Sequence, residues 1–193
     1  MNRPFIISIN SVSGGGKTAL ATALHRSLPQ SALFCFDDFD DSNVYPEDFY
    51  EWSRRGTDIT EFDCPGMRNA VDEEIQRRKA KQIILDYPFG RRHPRFADII
   101  DLAVFIDTPL DVALARRILR DYSVGNQKVL AEVLENLRSE LTHYLAKARH
   151  PYLDTYKDKE VSDLILDGYR CLDDLKSEVL ARMGFGTEVE TLA

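Results

Sequence analysis

Short apolar runs alternate with longer segments of helical period along this chain. Phe5–Asn10 (FIISIN) is short, β-branched and followed by glycines, so it reads as a buried strand. Lys17–Leu28 places Leu20, Leu24 and Leu28 on one helical face, and Pro29 closes it. Ala32–Phe36 is a second strand, running into Asp37-Asp38-Phe39-Asp40-Asp41. Segments 46–55 and 66–80 read as helices on either side of a Gly-Thr-Asp loop and Pro65. Gln82–Leu85 and Leu102–Ile106 are two further strands, ending at Asp86 and Asp107. Leu110–Tyr122 is helical, with a break at Gly125-Asn126. The spacing of Leu130, Leu134, Leu137, Leu141 and Leu145 predicts one long amphipathic helix over 127–149. Val161–Leu166 is a fifth strand and Leu172–Met183 a last helix, after which the end frays.

Near-continuous apolar strands separated by helices predict a parallel sheet covered on both faces, an α/β fold. Ligands in such sheets bind at the carboxyl ends of the strands. Three strands here end in an aspartate, at Asp37, Asp86 and Asp107. The site is therefore expected at that edge.

Composition narrows the class. With 193 residues the chain suits one domain, 1–193, which at this length buries about 70% of its unfolded surface. Its 25 Lys and Arg against 32 Asp and Glu give a net charge of −7. That balance argues against nucleic acid or an anionic membrane as partner. Three isolated cysteines support neither a disulfide framework nor a zinc ribbon, and the histidines have no metal-ligand spacing. The apolar run near the N-terminus is too short for a signal peptide, and no stretch approaches the roughly 20 residues of a membrane span. A cytoplasmic protein is expected.

The most specific chemical signal is Ser11-Val-Ser-Gly-Gly-Gly-Lys-Thr18, between a strand and a helix. This is the context of a phosphate-binding loop. Gly14, Gly15 and Gly16 let backbone N–H groups turn toward phosphate oxygens, and the helix N-terminus adds its positive dipole end. Lys17 is placed for the β- and γ-phosphates, and Thr18 for Mg²⁺. Ser13 and Ala19 flank these groups as further nucleotide contacts. Ser11 stands where the usual motif has its first glycine.

Other groups divide between chemistry and structure. Asp37 is the candidate base for an acceptor hydroxyl and a candidate Mg²⁺ ligand. Asp86 is a candidate Mg²⁺ acid, whereas Asp107 reads as a turn and helix-cap residue. Arg116, Arg117 and Arg120, at helical spacing, suit phosphate oxygens and a closing lid over about 116–128. Arg91-Arg92-His93 is a second basic cluster. Tyr45, Trp52, Phe62 and Tyr87 are candidates to line a pocket for a ring-shaped acceptor, or else core.

In this order, FIISINSVSGGGKT, the Asp-Asp-Phe turn, IILDYPFG and DLAVFIDTPLDVALARRILRD resemble the uridine kinase and phosphoribulokinase family of P-loop kinases, which includes nicotinamide riboside kinases. The likeness spans roughly residues 4–183. It implies a three-layer α/β/α sandwich with a five-stranded parallel sheet and a helical lid. It also implies ATP- and Mg²⁺-dependent phosphorylation of a hydroxyl on a small acceptor, a nucleoside or riboside. Lys17, Thr18 and Asp37 match the phosphate, Mg²⁺ and base positions, and Asp86 stands where the family usually has Glu. Arg116, Arg117 and Arg120 match the lid, and Arg170 is implied at the adenine. Acceptor contacts are expected from Asp37, Phe39, Tyr45, Tyr87, Arg91 and His93, with the recognition segment at about 40–68. Asp40 replaces the family's usual tyrosine. A homo-oligomer is compatible with the sequence. The competing readings are a kinase of another metabolite, such as a sugar acid, pantothenate or a nucleoside monophosphate, and a nucleotide-binding regulatory protein without catalysis.

Overall fold

A computed structural model describes residues 3–122 and 130–185. Five strands form one sheet: β1 (Phe5–Asn10), β2 (Ser31–Cys35), β3 (Gln82–Asp86), β4 (Leu102–Asp107) and β5 (Leu164–Asp167). Their order is β2-β3-β1-β4-β5, and every pairing is parallel. The central strand β1 sets Ile9 beside Asp86 of β3 and Asn10 beside Phe105 of β4, so the acidic strand end lies level with the start of the phosphate loop.

Alternation along the strands divides the core in two. Ile7, Ile9, Ile84, Val104 and Ile106 face one way and pack on Leu20 and Leu24 of α1 (Lys17–Ser27). The last helix, α8 (Leu172–Arg182), adds Leu175 and Val179 to that layer. Ile6, Ile83, Leu85 and Ala103 face the other way, onto Met67 and Val71 of α3 (Pro65–Arg77) and Phe96 of α4 (Pro94–Ala97). Each fully buried Ile or Leu contributes about 1.5–3 kcal/mol. Helices thus cover both faces, giving the three-layer P-loop NTPase fold that the sequence predicts.

The remaining helices are α2 (Phe49–Arg54), α5 (Leu110–Asp121), α6 (Leu130–His143) and α7 (Arg149–Thr155). Segment 40–68 is tied down by the antiparallel bridge between Val44 and Asp63. No helix among the described residues is long and apolar enough to cross a membrane.

Three expectations need correction. Within its described part, 130–149, the predicted helix over 127–149 is not one continuous stripe. A wider π turn at Tyr144–Ala148 separates α6 from α7, and Leu134 and Leu145 stand 56% and 77% exposed while Tyr144 turns inward. Pro151 has no N–H and crowds the carbonyl four residues before it, and the wider turn relieves that clash. β5 starts at Leu164, because 156–161 form a 3₁₀ turn. There the Asp163 carboxylate takes the Ala103 N–H at 2.8 Å, a strand-like role given to a side chain. Asp107 is not a helix cap: it remains in β4 and pairs with Lys159 at 2.6 Å, and α5 starts after Pro109 without a side-chain cap. The expected break at Gly125-Asn126, and the part of the predicted lid over 123–128, lie outside the described residues.

Candidate active site

The phosphate loop is built by close approach. Gly16 caps α1 in the left-handed region, at φ +105°, and no side chain caps the helix. The first-turn N–H groups are therefore left to an anion. Ser11 does not break the cradle. Its Oγ donates to the Ile106 carbonyl at 2.8 Å, and a Cβ on Gly15 would lie 1.9 Å from that same Oγ. Thr108, the residue after β4, donates through Oγ1 to the Gly15 carbonyl at 2.9 Å and anchors the loop.

One cavity of about 270 Å³ gathers Ser13, Gly14, Gly16, Lys17, Thr18, Ala19, Asp37, Arg116 and Arg120. A 3₁₀ turn over Phe36–Ser42 carries Asp37 there, anchored by the buried Phe36 ring. Thr18 Oγ1 donates to Asp86 Oδ2 at 2.6 Å, which brings the β3 acid to the same place. Asp86 is 5% exposed, and its Oδ1 has no hydrogen-bond partner. Burial pushes the Asp86 carboxyl above its usual range; the Thr18 bond and Lys17 oppose this, and Asp37 and Asp38 reinforce it. Lys17 is held below the ordinary lysine value by desolvation, against the pull of Asp86 and Asp37.

Among the described residues no group of three or more His, Cys, Asp or Glu side chains is set to hold a metal ion. A magnesium site here would rest on the orphaned Asp86 oxygen, Thr18, Asp37 and nucleotide phosphates, in the manner of sites that keep few protein ligands.

Other residues singled out in the sequence are engaged elsewhere. Arg117 donates to Glu140 at 2.5 Å and to the Tyr152 hydroxyl at 2.9 Å, and its guanidinium lies 5.2 Å from the Tyr152 ring centre. It does not line the cavity. Arg170 pairs with Glu178 on the surface. Arg91 donates to Asp163 and to the Ile100 and Asp101 carbonyls, a structural clasp between β4 and β5. Tyr87 is wholly buried on Cys64 and Phe96, and burial drives its hydroxyl far above the usual range. His93 is buried, receives the Arg95 N–H on Nδ1 at 3.1 Å and meets the Phe62 carbonyl through Nε2 at 2.9 Å. Trp52 is core, with its indole N–H on the Asp58 carbonyl.

Tyr45 donates to Asp40, the residue that departs from the family pattern. Beside it lies a continuous ring cluster of Phe36, Tyr45, Phe49, Phe62 and Phe89, with neighbouring centres 4.7–6.2 Å apart. Phe36, Phe49 and Phe89 were not singled out by sequence pattern; the Pro88-Phe89-Gly90 turn just after Asp86 was the available signal for the last. Phe39 packs over Gly66, where Ser42 also sits.

The fold is the three-layer P-loop fold, with its phosphate cradle at the carboxyl end of the sheet. In sequence the chain is similar to uridine kinases. It is 28% identical over 155 residues to that of Ureaplasma urealyticum, covering 64% of this chain and 72% of the relative. It is 26% identical over 195 aligned positions to that of Brevibacillus brevis, covering 86% of each. No protein-family model matches the chain. Among solved structures, the tunicamycin resistance protein of Deinococcus radiodurans superposes with a TM-score of 0.56 at 20% identity, over 94% of this chain and 96% of that one. A gluconokinase from Sinorhizobium meliloti gives 0.53 at 17% identity, over 95% and 94%. These two likenesses concern the fold.

Proposed function

We propose that this chain is an ATP- and Mg²⁺-dependent kinase that transfers the γ-phosphoryl group to a hydroxyl of a nucleoside-like acceptor such as uridine, cytidine or a riboside. The observation that carries this reading is the single cavity shared by Lys17, Thr18, Asp37, Arg116 and Arg120. A cradle for phosphate, a carboxylate for a hydroxyl proton and two guanidinium groups for transferred charge meet in one space.

In this reading the open N–H groups of α1 and Lys17 bind the phosphates. Asp37 accepts the hydrogen bond of the acceptor hydroxyl, orients its oxygen and takes its proton. Arg116 and Arg120 on α5 spread the charge of the moving group, and closure of the lid over about 116–128 keeps water out. Thr18, Asp86 and Asp37 would hold a magnesium ion, which would supply neutralisation of phosphate charge. The acceptor segment is 40–68, and the exposed rings of Tyr45 and Phe49 offer stacking surface to a flat base. Arg117 and Arg170, paired as they are, serve nucleotide binding only if their ion pairs open.

The test is a phosphotransfer assay with ATP and Mg²⁺ against nucleosides, nicotinamide riboside, pantothenate, gluconate and other sugar acids, and nucleoside monophosphates, with products identified by mass. One phosphate gained by a nucleoside, and lost with Asp37→Ala, supports the reading. Transfer only to a sugar acid or a monophosphate replaces the acceptor class. ATP binding with no transfer to any acceptor refutes it in favour of a nucleotide-binding protein.

A further inference from the structure

Within the basic cluster Arg91-Arg92-His93, Arg92 is taken up by two buried carboxylates. Its Nη2 donates to Asp154 Oδ2 at 2.8 Å and its Nη1 to the Asp154 carbonyl at 3.0 Å. Its Nε lies 3.0 Å from Asp158 Oδ1, close enough for an ion pair but poorly aligned for a hydrogen bond. Asp158 is 1% exposed, and its other oxygen accepts from Asn10 Nδ2 at 2.6 Å. Asn10 is the last residue of β1, immediately before Ser11 of the phosphate loop.

The same turn reaches the loop by a second route. Tyr156 donates to the Thr108 carbonyl, and Thr108 Oγ1 holds the Gly15 carbonyl. Further back along this arm, Glu140 of α6 and Tyr152 of α7 hold Arg117 of α5. Arg117 in turn lies so close to the loop that a Cβ on Gly14 would come within 2.9 Å of its Cγ. The arm 130–161 is thus fastened at its base to the phosphate loop and along its length to the lid helix.

We propose that Asp158 is a positioning residue for phosphoryl transfer: through Asn10 and Arg92 it fixes the arm that carries Glu140 and Tyr152, so that the lid helix seats on a phosphate loop held in register with it. This rests on the kinase reading above. Stability alone does not favour such a cluster. Burial pushes the Asp158 carboxyl up to about 7, with Arg92 and Asn10 opposing and Asp154 reinforcing; Lys157 pairs with Asp154 at the rim.

Two variants test this. Asp158→Asn keeps the shape and still accepts from Asn10. Arg92→Lys keeps the charge but cannot span both carboxylates. In each, kcat for transfer falls about tenfold with KM for ATP within about twofold, and ATP lost to water per acceptor phosphorylated rises, because the lid no longer excludes solvent. The double variant is no worse than the poorer single. At about pH 8 the melting temperature of Asp158→Asn is no lower than that of the native chain, since a buried charge has gone. As pH falls through about 7 the native chain drifts toward the hydrolysis ratio of Asp158→Asn, which itself stays flat.

A native hydrolysis ratio and kcat in both variants overturn the proposal, as does an activity loss that merely follows a lowered melting temperature. Hydrogen exchange of residues 130–161 is read alongside. ATP and Mg²⁺ increase protection in the native chain, and Asp158→Asn loses that gain while still binding ATP. This readout needs no acceptor, so it decides the proposal even if the kinase reading fails: an equal gain in both proteins overturns it.

Discussion

Thr18 and Asp86 share a 2.6 Å hydrogen bond, and the oxygen of Asp86 that Thr18 leaves alone is buried without a partner. A carboxylate so placed is incomplete until a cation or a proton joins it. With magnesium as that cation, Asp86→Asn raises the Mg²⁺ concentration for half-maximal rate about 10–100-fold and leaves ATP affinity in excess Mg²⁺ little changed. A magnesium titration of the two proteins checks this, and superimposable curves would remove Asp86 from the metal site.

Lys17 is the cation of the cradle, held against Asp86 and Asp37. Lys17→Ala is expected to reduce kcat about 10²–10³-fold while the far-ultraviolet circular dichroism stays native. A loss of only a few fold would mean that the loop does not carry the reacting phosphates.

Asp37 lines the cavity, whereas Asp38, its neighbour in the same turn, does not. Asp37→Ala therefore costs about 10²–10⁴-fold in transfer, and Asp38→Ala about threefold or less. Steady-state rates of the pair make the comparison. Equal losses would reassign the turn to general electrostatics.

Ser11 and Gly15 give opposite outcomes from similar small changes. Ser11→Gly removes the bond to the Ile106 carbonyl, lowers stability by about 1 kcal/mol and keeps transfer within a few fold. Gly15→Ala sets a methyl 1.9 Å from Ser11 Oγ and 2.8 Å from the Val12 carbonyl, so the loop deforms and ATP binding is lost. Denaturant melts and equilibrium ATP binding distinguish the two.

His93 is held below its ordinary value by burial. Its folded pKa lies under its unfolded one, so below about 6.5 the unfolded chain binds more protons at this residue and stability rises with pH until His93 is neutral in both states. Asp158, raised to about 7, has the opposite slope between about 4 and 7. The comparison of wild type with His93→Gln isolates the first contribution. Urea melts across this range should show the difference between the two proteins narrowing as pH falls; a constant difference would deny the titration.

Strand periods, the phosphate loop and the strand-end acids were legible in the sequence because each follows from local spacing. All five strands fall within three residues of their predicted starts, and the order of elements holds. The arginines were less legible. Arg116, Arg117 and Arg120 share one helix and one chemistry, and only the tertiary partners Glu140 and Tyr152 separate Arg117 from the other two. Tyr87 and His93 likewise have the chemistry of site residues but are claimed by packing against Phe96 and by the Phe62 carbonyl. The leucine period over 130–145 misled because a repeat of three and four residues cannot register a π turn. Asn10, Asp158 and Arg92 gave no joint signal, since 148 residues separate the first two.

Three hydroxyl side chains fill the space where a glycine has no side chain: Ser11 at Gly15, Ser42 at Gly66 and Thr108 at Gly168, each with Oγ 1.9–2.2 Å from where a Cβ would stand. The two members of each pair are sterically coupled. A lineage that gains a side chain at one of these glycines must first shed the opposing hydroxyl, so the two members are expected to change together among distant relatives. The serine that departs from the usual motif at position 11 is then half of a matched pair, and its history is to be read at position 15.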